Sequence, residues 1–125
     1  AIITGEGCSG GALGLAVADK VFLLEHAYYT VISPEGCASI LWRDATKASE
    51  AADALRITAK DLLHFDIIDG EIKEPTGGAH TNYDEISATM KKTILDSLDE
   101  LSKFSVDELK ENRYQKFRKM GVFIQ

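Results

Sequence analysis

A glycine-rich run near the start of the chain carries the residues best suited to chemistry. Residues Gly5 to Gly10 read Gly-Glu-Gly-Cys-Ser-Gly, and a further glycine, Gly11, follows directly. An apolar stretch predicted to be a strand precedes the run, and a segment of small residues predicted to be a helix follows it. Amides in the first turn of a helix have no partner within it, and glycine lets a ligand oxygen approach them closely. Aimed at a carbonyl that gains negative charge, the Gly10 and Gly11 amides would form an oxyanion hole.

The same run has two other interpretations. It fits the G-x-G-x-x-G pattern of dinucleotide-binding domains, in which Gly5, Gly7 and Gly10 would approach the pyrophosphate. Glu25 would then bind the ribose. The short helix after the run, and the lack of a second βαβ unit beyond residue 33, weaken this Rossmann-like interpretation. The glycines also suit tight packing of a helix against a strand, and spacing alone favours packing over a catalytic role.

The composition predicts one soluble, cytoplasmic domain with neither a nucleic-acid nor a membrane partner. The chain has 125 residues, of which 45% are hydrophobic and 27% charged, and its net charge is −6. Net acidity gives no general attraction for phosphate backbones or anionic lipids. No apolar run approaches the roughly 18 residues of a membrane span. The two cysteines and three histidines show no metal-ligand spacing, so no metal site is predicted.

Residue patterns divide the chain into an α/β core that contains the glycine loop, residues 1–82, and a helical extension, residues 83–125. β-Branched and aromatic runs predict strands over 1–4, 21–26, 28–33 and 67–73, with 5–9 as a loop. Spacing and capping residues predict helices over 10–18, 48–56 and 59–65, a short helix that follows the turn at 34–36 and ends near Trp42, and capping boxes at Thr58–Asp61 and Ser105–Glu108. Two long helices close the chain. Their apolar stripes are predicted to be core: Ile86, Met90, Ile94, Leu98 and Leu101 in the first, and Val106, Leu109, Phe117 and Met120 in the second.

Four segments together resemble one protein family. The run from Gly5 to Leu13 is similar to the glycine motif of the carboxyltransferase α subunit of bacterial-type acetyl-CoA carboxylase. The similarity continues from Tyr29 to Trp42, from Glu74 to His80 and from Arg113 to Arg118, so it spans essentially the whole chain. The resemblance implies a crotonase-like (ClpP/crotonase) fold of stacked ββα units with C-terminal helices. It also implies that the chain is the C-terminal portion of the subunit, without the N-terminal part.

The resemblance implies an activity and its participants. Enzymes of this family move a carboxyl group from biotin, carried on a separate protein, to acetyl-CoA, and the malonyl-CoA formed commits carbon to fatty acid synthesis. The expected partners are the β subunit, the biotin carboxyl carrier protein and a second α subunit, in an α2β2 assembly. Activity is then expected only together with the β subunit and the missing N-terminal part. The expected location is the cytoplasm, or the plastid stroma in a plant. The alternative to an enzyme is a non-catalytic assembly module.

Site residues follow from the same resemblance. Gly10 and Gly11 would bind the carbonyl of carboxybiotin through their amides, and the remainder of the carboxybiotin pocket is assigned to Ser9, Ser33, Glu35 and Gly36. Glu35 also suits a simpler role at the start of a helix. Cys8 stands where the family usually has glycine, and a positive φ there would cost about 1 kcal/mol or more.

Two further groups of residues have alternative roles. His80 is expected to be a hydrogen-bonding residue of its loop rather than a catalyst. Four cations on the last helix would either attract the phosphates of coenzyme A or form a solvated face, and the second role is favoured: Arg113, Lys116, Arg118 and Lys119.

Overall fold

The computed structural model describes residues 1–121 of the chain, which form an α/β arrangement of two small parallel sheets and six α-helices. Strands β1 (Ile2–Ile3), β3 (Phe22–Leu24) and β5 (Gly70–Ile72) form one sheet in the order β1-β3-β5. Strands β2 (Glu6–Cys8) and β4 (Tyr28–Thr30) form the other. The predicted α/β class is therefore confirmed. The last four residues of the predicted helical extension, 122–125, lie outside the described residues.

The strands alternate between the two sheets in a repeating order. The unit β1-β2 is followed by helix α1 (Ser9–Leu15), and the unit β3-β4 is followed by α2 (Pro34–Trp42). In each unit the first strand joins the three-stranded sheet and the second joins the two-stranded sheet. Parallel pairing places Leu23 beside Glu71 in one sheet and Gly7 beside Tyr29 in the other. Both helices thus leave from the carboxyl ends of neighbouring parallel strands.

Four more helices follow, and local capping explains where they begin. They are α3 (Ala48–Leu55), α4 (Ala59–His64), α5 (Tyr83–Leu101) and α6 (Val106–Lys119). The predicted capping box at Ser105 and Glu108 is confirmed, since each side chain accepts the other residue's amide hydrogen. Thr58 caps α4 as predicted, although the Asp61 carboxylate accepts a hydrogen bond from the Thr58 hydroxyl instead of the Thr58 amide. No helix within residues 1–121 is long and apolar enough to span a membrane.

Long-range pairing changes two of the predicted elements. Residues 6–8, predicted as part of a loop, form β2 because they pair in parallel with β4, and the local pattern does not reveal this pairing. The strand predicted over 67–73 is limited to Gly70–Ile72. The Ile67 amide donates to the Leu62 carbonyl at 2.9 Å, so Ile67 belongs to the turn that ends α4.

The core lies between the three-stranded sheet, α4 and the first half of α5. Leu23 is fully buried, and Ile86 of α5 packs into the same cluster with Met90 beside it. Further along α5, Ile94 and Leu98 are 44% and 57% exposed, and α6 has no buried residue. The prediction that both stripes are core is therefore wrong beyond Met90. A helix of 19 residues is about 28 Å long, whereas strands of three residues reach about 10 Å, so α5 runs past the sheet.

Candidate functional site

The turn from β2 into α1 contains an unusual backbone conformation. Cys8 is extended, with φ −136° and ψ 147°, whereas Ser9 has a φ of 61°. The left-handed conformation considered for Cys8 therefore lies at Ser9, and Cys8 is accommodated without that cost. A left-handed non-glycine residue is strained by about 1–3 kcal/mol and is characteristic of functional turns. The turn ends with the amides of Gly10 and Gly11 in the first turn of α1.

The space around each glycine shows whether packing requires it to be small. A Cβ atom at Gly7 would lie 2.9 Å from Ile3 Cγ2 and 3.3 Å from the Tyr28 carbonyl oxygen. At Gly10, Gly11 or Gly14 it would meet no atom of any other described segment within 4 Å. The packing interpretation therefore holds for Gly7. No such contact exists at Gly10 or Gly11 in the described residues, and no side chain caps the first turn of α1.

An apolar groove of about 280 Å³ adjoins this turn. Ser9 and Leu13 of α1 line it together with Tyr29 and Thr30 of β4. The groove is completed by Val31, Leu55, Leu62 and Ile67. The Thr30 hydroxyl donates to the Ile32 carbonyl at 3.1 Å, so Ser9 and Tyr29 are left as sources of polar contact in this otherwise apolar wall. The arrangement suits a ligand with an apolar body and a polar atom directed towards the start of α1.

The other residues predicted for the pocket lie at the start of α2. The Ser33 hydroxyl accepts the Gly36 amide at 3.1 Å and caps the helix, and Glu35 is exposed in the first turn. A Cβ atom at Gly36 would lie 3.1 Å from both Ser33 Oγ and Ile32 Cγ1, so Gly36 is small because of packing. These three residues do not line the groove that Ser9 lines.

Contacts of the glycine run argue against a dinucleotide site. Gly7 lies inside β2, paired with Tyr29, instead of in a loop between strand and helix. The Glu25 carboxylate accepts hydrogen bonds from Lys73 Nζ at 2.9 Å and from the Glu74 amide at 3.3 Å. The bond from Lys73, followed by that from the amide, lowers the pKa of Glu25. Glu25 therefore joins β5 to the turn after β3 and does not face the glycines.

A buried carboxylate organises the loop after β5. The Glu74 side chain is only 6% exposed and accepts hydrogen bonds from the His26 amide (2.7 Å), His26 Nδ1 (2.9 Å) and the Ala79 amide (2.8 Å). Burial raises the pKa of Glu74, but these hydrogen bonds outweigh it and the pKa lies below its usual value. His80, predicted as a hydrogen-bonding residue, is exposed, and its ring lies against Gly78. Sequence reasoning missed Glu74 because loop carboxylates are usually solvated.

Comparison with known proteins decides the family. The family model described as acetyl co-enzyme A carboxylase carboxyltransferase-like matches residues 1–121. The chain belongs to this family. Curated relatives named acetyl-coenzyme A carboxylase carboxyl transferase subunit alpha include one from Clostridium beijerinckii, which is 62% identical over 122 residues, 98% of this chain and 45% of that protein. Those from Crocosphaera subtropica and Geobacter metallireducens are 55% and 53% identical over 98% of this chain and 37% and 38% of theirs.

The resemblance inferred from the sequence is therefore confirmed, with a limit set by length. The carboxyltransferase-like chain spans less than half the length of these relatives. Its position within them stays a prediction. Within residues 1–121 no group of three or more His, Cys, Asp or Glu side chains is arranged to hold a metal ion.

The cationic motif of the carboxyltransferase-like chain lies on α6. Arg113 Nε lies 3.1 Å from Asp19 Oδ1. Lys116 forms an ion pair with Asp69 and donates to the Asp19 carbonyl at 3.2 Å. Arg113 and Lys116 therefore fit neither of the two predicted roles. Cations that are already paired with carboxylates are poorly placed to attract the phosphates of coenzyme A, and they do not form a freely solvated face. Arg118 and Lys119 are exposed, as a solvated face requires.

Proposed function

We propose that this chain forms part of the carboxyltransferase site of an acetyl-CoA carboxylase α subunit, which transfers a carboxyl group from carboxybiotin on a carrier protein to acetyl-CoA to give malonyl-CoA. The observation that carries the proposal is the open space beside Gly10 and Gly11. Nothing in the described residues packs against a Cβ position at either glycine, and no side chain caps the first turn of α1, so both amides would be available to a ligand oxygen. The names of the curated relatives support the same activity.

The residues present fit a bound carboxybiotin. Carboxybiotin supplies the carboxyl group and a carbonyl oxygen on which negative charge grows during transfer. The Gly10 and Gly11 amides would donate hydrogen bonds to that oxygen, and such donors stabilise developing charge best where water is excluded. The groove lined by Leu13 and Val31 would bind the apolar part and exclude water. Ser9 would hold the turn in the conformation that presents both amides.

We infer that the fold is of the crotonase-like kind, with stacked ββα units. The alternation of β1-β2-α1 and β3-β4-α2 between two parallel sheets supports this inference, since each unit contributes one strand to each sheet. The helices after residue 82 follow as the C-terminal extension. The whole chain, residues 1–125, is then a single domain within a longer subunit.

We propose that the assembly includes a β subunit, the biotin carboxyl carrier protein and a second α subunit, and works in the cytoplasm, or in the plastid stroma of a plant. Three apolar side chains in and just after α1 are more than half exposed, which suits a partner that covers this helix: Leu13, Leu15 and Val17. A site open on this side requires a second surface to enclose acetyl-CoA. The isolated chain is therefore expected not to catalyse transfer.

The experiment is a matched pair of substitutions in the reconstituted enzyme. Gly11→Val places a branched side chain where the ligand oxygen approaches, and we expect turnover to fall by about a hundredfold or more, the effect of losing one preorganised donor. Gly14→Val makes the same change one turn further along α1, also in open space, and should leave turnover within about threefold. Equal losses in both variants, or none in Gly11→Val, would refute the site and favour a non-catalytic assembly module.

A further inference from the structure

Helix α6 is attached to the fold without contributing a residue to the main core. The buried core cluster, and the half-buried apolar residues packed against it, include Ile86 and Met90 of α5 but no residue of α6 within the part of the chain that the structure describes. The half-buried positions of α6 recur at helical spacing and define the face turned towards the fold: Leu109, Arg113, Lys116 and Phe117. Arg113 and Lys116, at the centre of that face, are cations. Attachment of α6 therefore relies on charge where a core helix would use apolar area.

One of the two anionic partners, Asp69, is fixed to the sheet independently of α6. Asp69 precedes β5, and its carboxylate accepts the Val21 amide at 2.7 Å while its own amide donates to the Val21 carbonyl at 2.7 Å. This position would persist if α6 moved away. Asp19 lies in the turn before β3, and its Oδ1 atom is inaccessible to solvent and has no hydrogen-bond partner in the described residues. Its charge is therefore compensated by the Arg113 guanidinium, 3.1 Å away.

Helix α6 also has stabilising contacts of its own. Ser105 and Glu108 form the capping box at its start, and Gln115 Nε2 donates to Glu111 Oε1 at 2.7 Å one turn earlier. Lys116, Arg118 and Lys119 in the last turn carry the charge that a helix C-terminus favours. These contacts are internal to α6 and its cap. These contacts let the helix detach as one segment. A helix of 14 residues without packing is only marginally stable, so its amides lose protection when it leaves the sheet.

We propose that α6 is held by an electrostatic latch, formed by the ion pairs Lys116–Asp69 and Arg113–Asp19, from which it detaches as a unit while the sheet stays folded. Ion pairs at half-exposed sites are weakened by salt, because counterions screen charges over about 10 Å at 0.1 M. Apolar attachment would not weaken in this way. The latch gives the motif from Arg113 to Lys116 a role in docking that is separate from the carboxyl-transfer site.

The test is hydrogen exchange measured by mass spectrometry on the whole protein that carries this chain. In Lys116→Gln and in Arg113→Gln we expect the amides of α6 to exchange about five- to tenfold faster, with peptides of β3 and β5 unchanged. The matched control is Lys110→Gln, which removes a cation and an exposed ion pair with Asp107 on the same helix. Its α6 amides should change less than twofold.

Salt provides the second arm. In the unsubstituted protein, raising the salt concentration from 0.05 to about 0.5 M should accelerate exchange in α6 several-fold, and the Lys116→Gln, Arg113→Gln double variant should show little further response. The latch is overturned if α6 exchange is indifferent to both substitutions and to salt. It is equally overturned if α6 and the strands always exchange together, because α6 is then an integral part of the folded unit.

Discussion

Gly7 and Gly11 lie four residues apart on the two sides of one turn, in contrasting surroundings. Gly7 is buried between Ile3 and the backbone of β4, where a single added carbon would overlap its neighbours. Gly11 is exposed at the start of α1 and faces open space. The same residue type thus serves two purposes, close approach of backbones in the sheet and access for a ligand at the helix. The difference teaches that a glycine motif is not one functional unit, and each glycine can be tested separately.

The largest expected effect on stability is at the crowded position. Gly7→Val places three carbons where Ile3 Cγ2 would be 2.9 Å from the first of them, and β2 cannot shift without losing its pairing with β4. We expect a loss of about 3 kcal/mol in the free energy of unfolding, at the upper end for overpacked cores. The midpoint of urea unfolding measures it.

The control is Gly11→Val, the same substitution in open space. It should change the unfolding free energy by only a few tenths of a kcal/mol, since valine has a somewhat better helix propensity than glycine. Similar losses at both positions would mean that the contrast between the two glycines is not real.

A second contrast is between two carboxylates, Glu74, whose side chain is 6% exposed, and Glu50, whose side chain is 65% exposed. Glu74→Gln replaces a carboxylate oxygen that accepts an amide hydrogen by an NH₂ group, so one backbone amide loses its charged acceptor. We expect a loss of about 2 kcal/mol at pH 7. Glu50→Gln, on the exposed side of α3, is the matched control and should change the unfolding free energy by less than about 0.5 kcal/mol.

The lowered pKa of Glu74 also predicts how the free energy of unfolding changes with pH. Its pKa in the folded chain lies below the ordinary value of 4.5, because hydrogen bonds to the carboxylate outweigh burial. The stability that it contributes is therefore fully present above pH 4.5 and is lost as the pH falls through the lower, folded value. Urea unfolding between pH 6 and 3 should show a shallower acid loss in Glu74→Gln than in the unsubstituted chain. An identical acid loss would show that Glu74 is not held by these bonds.

A smaller effect is expected where the crowding atom is a side chain. A Cβ atom at Gly70 would lie 2.9 Å from both Phe22 Cδ1 and Cε1, and the Phe22 ring is only partly buried and can turn. Gly70→Ala should cost about 1–2 kcal/mol. The cost should shrink by at least half in a Phe22→Leu background, since the clashing ring is then absent. Unchanged cost in the double variant would place the strain elsewhere in β5.

Prediction from sequence succeeded where the determining contacts are local. The starts of α4 and α6 follow from Thr58 and from the Ser105–Glu108 pair, which act within three residues. The placement of Gly10 and Gly11 in the first turn of a helix was also predicted correctly, whereas their role as a site stays a prediction.

Prediction failed where distant segments decide the outcome. β2 exists because Glu6–Cys8 pairs with β4. The outer half of α5 is exposed because the sheet is shorter than the helix. The groove beside Ser9 draws Leu55, Leu62 and Ile67 from segments far along the chain. The partners of Arg113 and Lys116 are likewise remote, so the sequence did not predict that these two cations form ion pairs with Asp19 and Asp69.

The smallest expected effect is a gain in stability at Gly14, which lies in open space as Gly11 does. Gly14 lies within α1 with no atom of another described segment within 4 Å of a Cβ position, so Gly14→Ala adds a methyl group without a clash. Alanine restricts the unfolded chain and favours helix, and we expect the free energy of unfolding to rise by about 0.5–1 kcal/mol. Urea unfolding of the isolated chain measures this gain, and a loss there would mean that α1 is packed more tightly than the structure shows.

The same substitution in the reconstituted enzyme tests whether a partner contacts Gly14. A partner backbone seated against Gly14 would turn the gain into weaker assembly, and the affinity of the substituted subunit for its partners would report that contact directly.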